Sequence, residues 1–183
     1  GIPRFKNLFE FKSKTKAKYK FLFITGAHKW NGYEKWDKFQ VEVLEKIKKY
    51  SFIDVRTHPR DSFNYESYPL KVVTIEDESI YESISASEYI FAATSPSTVL
   101  FQSACIGKKV FFIESEDLSY IMPSYKIFKS TFKVIRLEEF DDFVFSLYNN
   151  NADFDSLIID KYVNRKSLTS TAFISNKIIE YET

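Results

Sequence analysis

The chain contains two histidines, and each follows a short apolar run. His28 lies in Gly26-Ala27-His28-Lys29, directly after YKFLFIT, and His58 lies in His58-Pro59-Arg60-Asp61, after FIDVRT. A third polar cluster, Thr94-Ser95-Pro96-Ser97-Thr98, follows YIFAA and precedes an apolar stretch. The third cluster suits an anion. Ser95 can cap a helix, Pro96 fits the first helical position, and Ser97 and Thr98 then offer hydroxyls and free backbone N–H groups. The positive end of the helix dipole adds to those donors, although an ordinary Ser-Pro cap with no ligand has the same sequence.

His58 can donate to the same anion. A hydrogen bond to a charged group contributes about 1.5–3 kcal/mol. It can also offset charge developing on a departing phosphate, which makes His58 the catalytic candidate. The competing reading is a loop histidine held by Pro59. Arg60 can grip a phosphate through two bonds or simply pair with Asp61. Gly26 lets a backbone approach a ligand closely and Lys29 can reach its charge, while a glycine in this place also commonly just turns the chain. Asp61 is the nearest acidic candidate for a base, and no residue is nominated for that role. No Cys/His set with zinc spacing occurs, so no metal ligand is assigned.

Positioning these clusters requires a particular order of elements. Apolar runs at 19–25, 52–57, 71–75, 89–93, 110–113 and 132–137 read as strands. Between them, Trp36, Phe39, Val43, Leu44 and Ile47 share one helical face within 33–50. Asp77 reads as an N-cap ahead of Ile80, Tyr81 and Ile84, and 99–106 reads as a helix ended by Gly107. A further helix is expected over 138–148, with one or two more in 153–181. Strand–helix alternation implies right-handed crossovers and a parallel sheet. The expected fold is therefore α/β, a Rossmann-like parallel sheet of about six strands flanked by helices. Ligands in such sheets bind at the carboxyl ends of the strands, where all three polar clusters would fall.

Composition bounds the rest. A length of 183 residues fits one ordinary domain, and 44% hydrophobic with 18% aromatic residues excludes disorder as the default. The organisation expected is a basic linker or arm at 1–18, a Rossmann-like domain at 19–150 and a helical tail at 151–183. The 26 basic and 25 acidic residues leave a net charge of +1, so the basic excess of a nucleic-acid binder is missing. The single Cys105 cannot form an internal disulfide and reads as a small buried hydrophobe, which favours a reducing compartment. With no apolar run of membrane-spanning length and no signal-peptide pattern, a cytoplasmic location is expected. The alternating lysines at 12–20 also offer a peripheral contact to the inner face of a membrane. The start Gly1-Ile2-Pro3, without Met, is read as the edge of a fragment.

The run IYESISASEYIFAATSPSTVLFQSACIGKKVFFI, residues 80–113, resembles the donor-binding, carboxy-terminal domain of bacterial GT-B glycosyltransferases of surface-polysaccharide synthesis. The preceding His58-Pro59-Arg60 is similar to the His-Pro motif of bacterial sialyltransferases and related polymerising enzymes. The resemblance covers about 52–113 by motif and the rest only by pattern. It implies that His58, Ser97 and Thr98 hold the phosphate of a nucleotide sugar, CMP- or UDP-linked, with no cofactor beyond that substrate. It also implies transfer of a sugar, sialic acid among the candidates, to a glycan acceptor in capsule, lipooligosaccharide or O-antigen synthesis. Many family members carry Glu where this chain has Gln102, which could still bond a ribose hydroxyl but offers no charge. The family places its acceptor and usually its base on a separate amino-terminal domain, so a missing domain or partner subunit is expected. A CDP-polyol phosphotransferase, an epimerase-like nucleotide-binding domain and a non-catalytic binding module of the same fold remain alternatives.

Overall fold

A computed structural model describes residues 17–27, 34–93, 98–115 and 132–149. Their ten elements are β1 (Tyr19–Ile24), α1 (Glu34–Ile47), β2 (Ile53–Arg56), β3 (Lys71–Val73), α2 (Ile80–Ser85), β4 (Ser87–Ala92), α3 (Thr98–Cys105), β5 (Lys109–Glu114), β6 (Lys133–Arg136) and α4 (Phe140–Tyr148). The six strands form one sheet in the order β3-β2-β1-β4-β5-β6, and every pairing is parallel. The protein is thus a Rossmann-like α/β fold. The first three strands extend the sheet one way from β1 and the last three extend it the other way. The order reverses between β1 and β4, and a crevice opens at such a point beyond the carboxyl ends of the strands.

The central strands are apolar without interruption because both of their faces are covered. From Phe21 to Ile24 successive side chains alternate between two cores. Phe21 and Phe23 join Trp36, Phe39, Val43, Leu44 and Ile47 of α1 and Phe140, Val144 and Leu147 of α4 on one face. Leu22 and Ile24 join Ile84 of α2, Leu100 and Ala104 of α3, and Ile106 on the other.

Several boundaries differ from the sequence expectation for local reasons. The N-cap of α2 is Ser79, not Asp77. The Ser79 hydroxyl accepts the N–H of Glu82 at 3.3 Å, and the Glu82 carboxylate accepts the N–H of Ser79 at 2.8 Å, a reciprocal pair that satisfies two donors. Asp77 instead accepts from the backbone N–H of Thr74 at 2.7 Å and from its hydroxyl at 3.0 Å. That turn ends β3 at Val73, two residues before the expected limit. Gly107 follows α3 at φ 79°. Its N–H reaches the carbonyl of Ala104 at 2.9 Å while the N–H of Lys108 reaches that of Ser103 at 3.0 Å, a pairing that closes the helix and favours glycine there.

Residues 1–16 of the expected basic arm and all of the expected tail at 151–183 lie outside the described residues. Lys18, placed in the solvated arm by the sequence reading, is anchored. Its N–H donates to the carbonyl of Ala86 at 2.8 Å, and its Nζ reaches Glu78 at 2.8 Å. The same carboxylate accepts the hydroxyls of Tyr19 at 2.9 Å and Ser83 at 2.6 Å. Above it, the fully buried Arg56 donates to the carbonyls of Val73 at 3.2 Å and Glu78 at 2.9 Å, fastening β2 to the β3–α2 turn.

Candidate functional site

Because all six strands run the same way, the chain leaves β1, β2 and β4 at one edge of the sheet. Gly26, the His58 loop and the start of α3 therefore share that rim, with β1 between the other two. His28, Lys29, Ser95 and Ser97 lie outside the described residues. Thr98 is the first residue of α3.

The His58 loop is held by a compact set of bonds. The Thr25 hydroxyl, just past the end of β1, accepts the N–H of His58 at 2.9 Å and donates to Asp61 Oδ2 at 2.9 Å. The Tyr65 hydroxyl donates to the same oxygen, and the N–H of Phe63 donates to Asp61 Oδ1 at 3.1 Å. Asp61, the acidic residue nearest the motif, thus serves as the acceptor that fastens the loop to β1. Burial and the Asp61 bond push the Tyr65 phenol well above its ordinary range, so it remains a donor at every physiological pH.

His58 itself is half-buried. Its Nδ1 accepts the N–H of Arg60 at 3.1 Å, so the neutral ring carries its proton on Nε2. Burial lowers the imidazole pKa, with Asp61 acting in the opposite sense and Arg60 adding to the fall. Protonation at Nδ1 would also break the bond to Arg60. The neutral form of His58 therefore presents an Nε2–H donor. Since the folded-state pKa lies below the ordinary 6.5, the unfolded chain takes up a proton first as pH falls. Stability contributed by neutral His58 is fully present above 6.5 and is lost as pH drops below it. Urea melts across this range should show wild type losing stability toward low pH more steeply than His58→Gln. Parallel curves would contradict the burial of the neutral ring.

The remaining candidates differ in what they offer. The N–H of Gly26 is taken by Gln40 Oε1 at 2.7 Å, so this group is spent on fixing α1 to the end of β1. Pro59 and Arg60 are exposed at the rim. Gln102, which could bond a ribose hydroxyl, is buried at 7% exposure in the second turn of α3.

A cleft of about 680 Å³ opens on the β2–β3 side of His58. Its walls include Thr57, His58, Phe63, Tyr68, Leu70 and Val72, together with Thr74, Ile75 and Glu76. Phe63 packs edge-on against Tyr65 at 4.9 Å and tilted against Tyr68 at 5.4 Å between ring centres. Asp61, Glu66 and Glu76 line this cleft, and among its described lining residues none is a lysine or arginine. Such a lining does not attract phosphate. The aromatic part of these walls falls in 60–70, a stretch rich in Asp, Ser, Asn and Tyr. The spacing of Phe63, Tyr65 and Tyr68 within it was the available signal.

Among the described residues no three of His, Cys, Asp and Glu gather as ligands for a metal ion, and no helix is long and apolar enough to cross a membrane. No family model, curated protein or solved structure matches the chain.

Proposed function

We propose that this chain is the nucleotide-sugar-binding half of a glycosyltransferase of surface-polysaccharide synthesis. The observation that carries the reading is the reversal of strand order between β1 and β4, with His58 on one side of that point and the start of α3 on the other. The N-terminus of α3 supplies backbone N–H groups for a phosphate, and the dipole of the helix favours its charge. His58 adds a directed Nε2–H donor from the neighbouring loop. In the reaction an acceptor hydroxyl oxygen forms a bond to the anomeric carbon of the donor sugar. The bond from that carbon to the phosphate oxygen breaks, and its electron pair stays on the departing nucleotide. Donors already aimed at that phosphate stabilise the charge as it develops. The acceptor proton passes to a base on the acceptor side, a group this chain is not asked to supply. The resemblance of His58-Pro59-Arg60 and of residues 80–113 to the donor domains of such enzymes supports the same assignment.

Thermal melting of wild type and His58→Ala against CMP, UDP and CDP tests the proposal. A nucleotide at 100 times its dissociation constant adds about 2.7 kcal/mol, or roughly 5–10 °C for a chain of this size. His58→Ala should bind the same nucleotide at least ten-fold more weakly, the equivalent of losing one hydrogen bond to a charged group, about 1.5–3 kcal/mol. Failure of all three nucleotides to shift wild type would reject nucleotide binding. Equal shifts in both proteins would reject the role of His58.

A further inference from the structure

We infer that the cleft beside His58 receives an uncharged, hydroxylated sugar ring and turns away carboxylated sugars. This rests on the proposed function and adds to it the class of sugar.

The volume of about 680 Å³ falls within the range of roughly 300–1,000 Å³ in which small ligands are bound. Its lining has two characters. Phe63, Tyr68, Leu70, Val72 and Ile75 supply apolar and aromatic lining, and Ile75 stands 56% exposed, unusual for an isoleucine. Thr57, Asn64, Thr74 and the carboxylates supply hydroxyl, amide and carboxylate oxygens. A sugar ring has matching parts: a face of C–H groups that packs on an aromatic ring, and hydroxyls that donate to oxygen acceptors.

Charge narrows the choice of sugar. Asp61, Glu66 and Glu76 line the cleft without a lysine or arginine among them. Lys48, which lies 5.8 Å from the Tyr68 ring centre, is paired with Glu45. The neutral His58 ring brings no compensating charge. A carboxylate entering from a ligand would meet like charges at Glu66 and Glu76, whereas hydroxyls would donate to those two through charge-assisted bonds. Geometry agrees with this division. The cleft lies on the β2–β3 side of His58, and the proposed phosphate position lies on its β1–β4 side. A donor can thus place its phosphate at the crevice and its uncharged ring in the cleft. The reading therefore moves away from sialic acid as the transferred sugar.

The test uses backbone amide NMR of the wild-type chain titrated with three probes: methyl galactoside, the methyl glycoside of N-acetylneuraminic acid, and tetramethylammonium. The neutral glycoside is expected to shift amides within 57–76 saturably, and the acidic glycoside to leave them in place. The Glu66→Gln/Glu76→Gln double variant, altered at two exposed positions, should reduce the preference for the neutral glycoside at least three-fold. Tyr68→Ala should weaken its binding at least five-fold. Equal binding of the acidic glycoside to wild type would overturn the inference, as would binding of the ammonium ion alone. Nucleotide binding in the same samples keeps the two proposals apart. A nucleotide that binds while the cleft ignores the neutral glycoside rejects this inference only. A neutral glycoside seated in the cleft of a protein that binds no nucleotide rejects the nucleotide assignment only.

Discussion

Phe91→Ala is expected to lower the free energy of unfolding by about 3–5 kcal/mol, enough to remove a large share of the stability of an ordinary domain. Phe91 is fully buried in β4, which pairs with β1 on one side and β5 on the other. Its ring lies 6.0 Å from Phe21, 5.3 Å from Phe111 and 5.5 Å edge-on from Phe140, joining three strands and α4. Truncation there removes apolar burial and leaves a cavity that a sheet tied on both sides cannot close. Phe145→Ala is the contrast: that ring is 68% exposed on α4, and its loss should change stability by about 0.5 kcal/mol or less. Urea melts with unchanged slope measure both. A loss below about 1 kcal/mol for Phe91→Ala would mean that the central strands are not packed as described.

Asp61→Ala should cost about 2–4 kcal/mol and should loosen the His58 loop as well. It leaves the Thr25 hydroxyl, the Tyr65 hydroxyl and the Phe63 N–H without their acceptor. Each buried donor left unmade costs about 1–3 kcal/mol, and partial hydration of the loop keeps the total below the sum. Asp61→Asn should cost less. Its amide oxygen can serve the two hydroxyls, but its NH₂ then faces the N–H of Phe63. Hydrogen exchange at Phe63 offers a local readout, with protection falling in the order wild type, Asn, Ala. Unchanged protection in the alanine variant would show that the loop is held by something else.

The contrast between these two residues mirrors what the sequence could disclose. Phe91 sits in YIFAA, a run that reads as a strand buried on both faces, and alternation with helices then implies a parallel sheet and its carboxyl edge. That edge brings the His58 loop and the start of α3 to one rim without any knowledge of contacts. The loop's fastening was not legible, because Thr25 and Asp61 are 36 positions apart and nothing in either neighbourhood announces the other. Tyr65 and Tyr68 were hidden for a related reason: an irregular loop has no period to separate an aromatic wall from a solvated face. The cap of α2 was a different matter. Ser79 with Glu82 three residues on is the capping-box pattern, while Asp77 is taken by Thr74. Composition likewise gave no warning that the cleft beside His58 would be lined by three acidic residues and no basic one among those described, in a chain of net charge +1.

Mapping a bound nucleotide on the backbone amides tests the central claim most directly. Titration with CMP and UDP is predicted to give saturable shifts centred on Gly26 and Ala27, on His58 to Asp61, and on the first turn of α3. Those positions lie at the carboxyl edge on either side of the strand-order reversal. Shifts gathered instead at the opposite edge, around Tyr19, Ile53, Ser87 and Lys109, or none that saturate, would contradict the account.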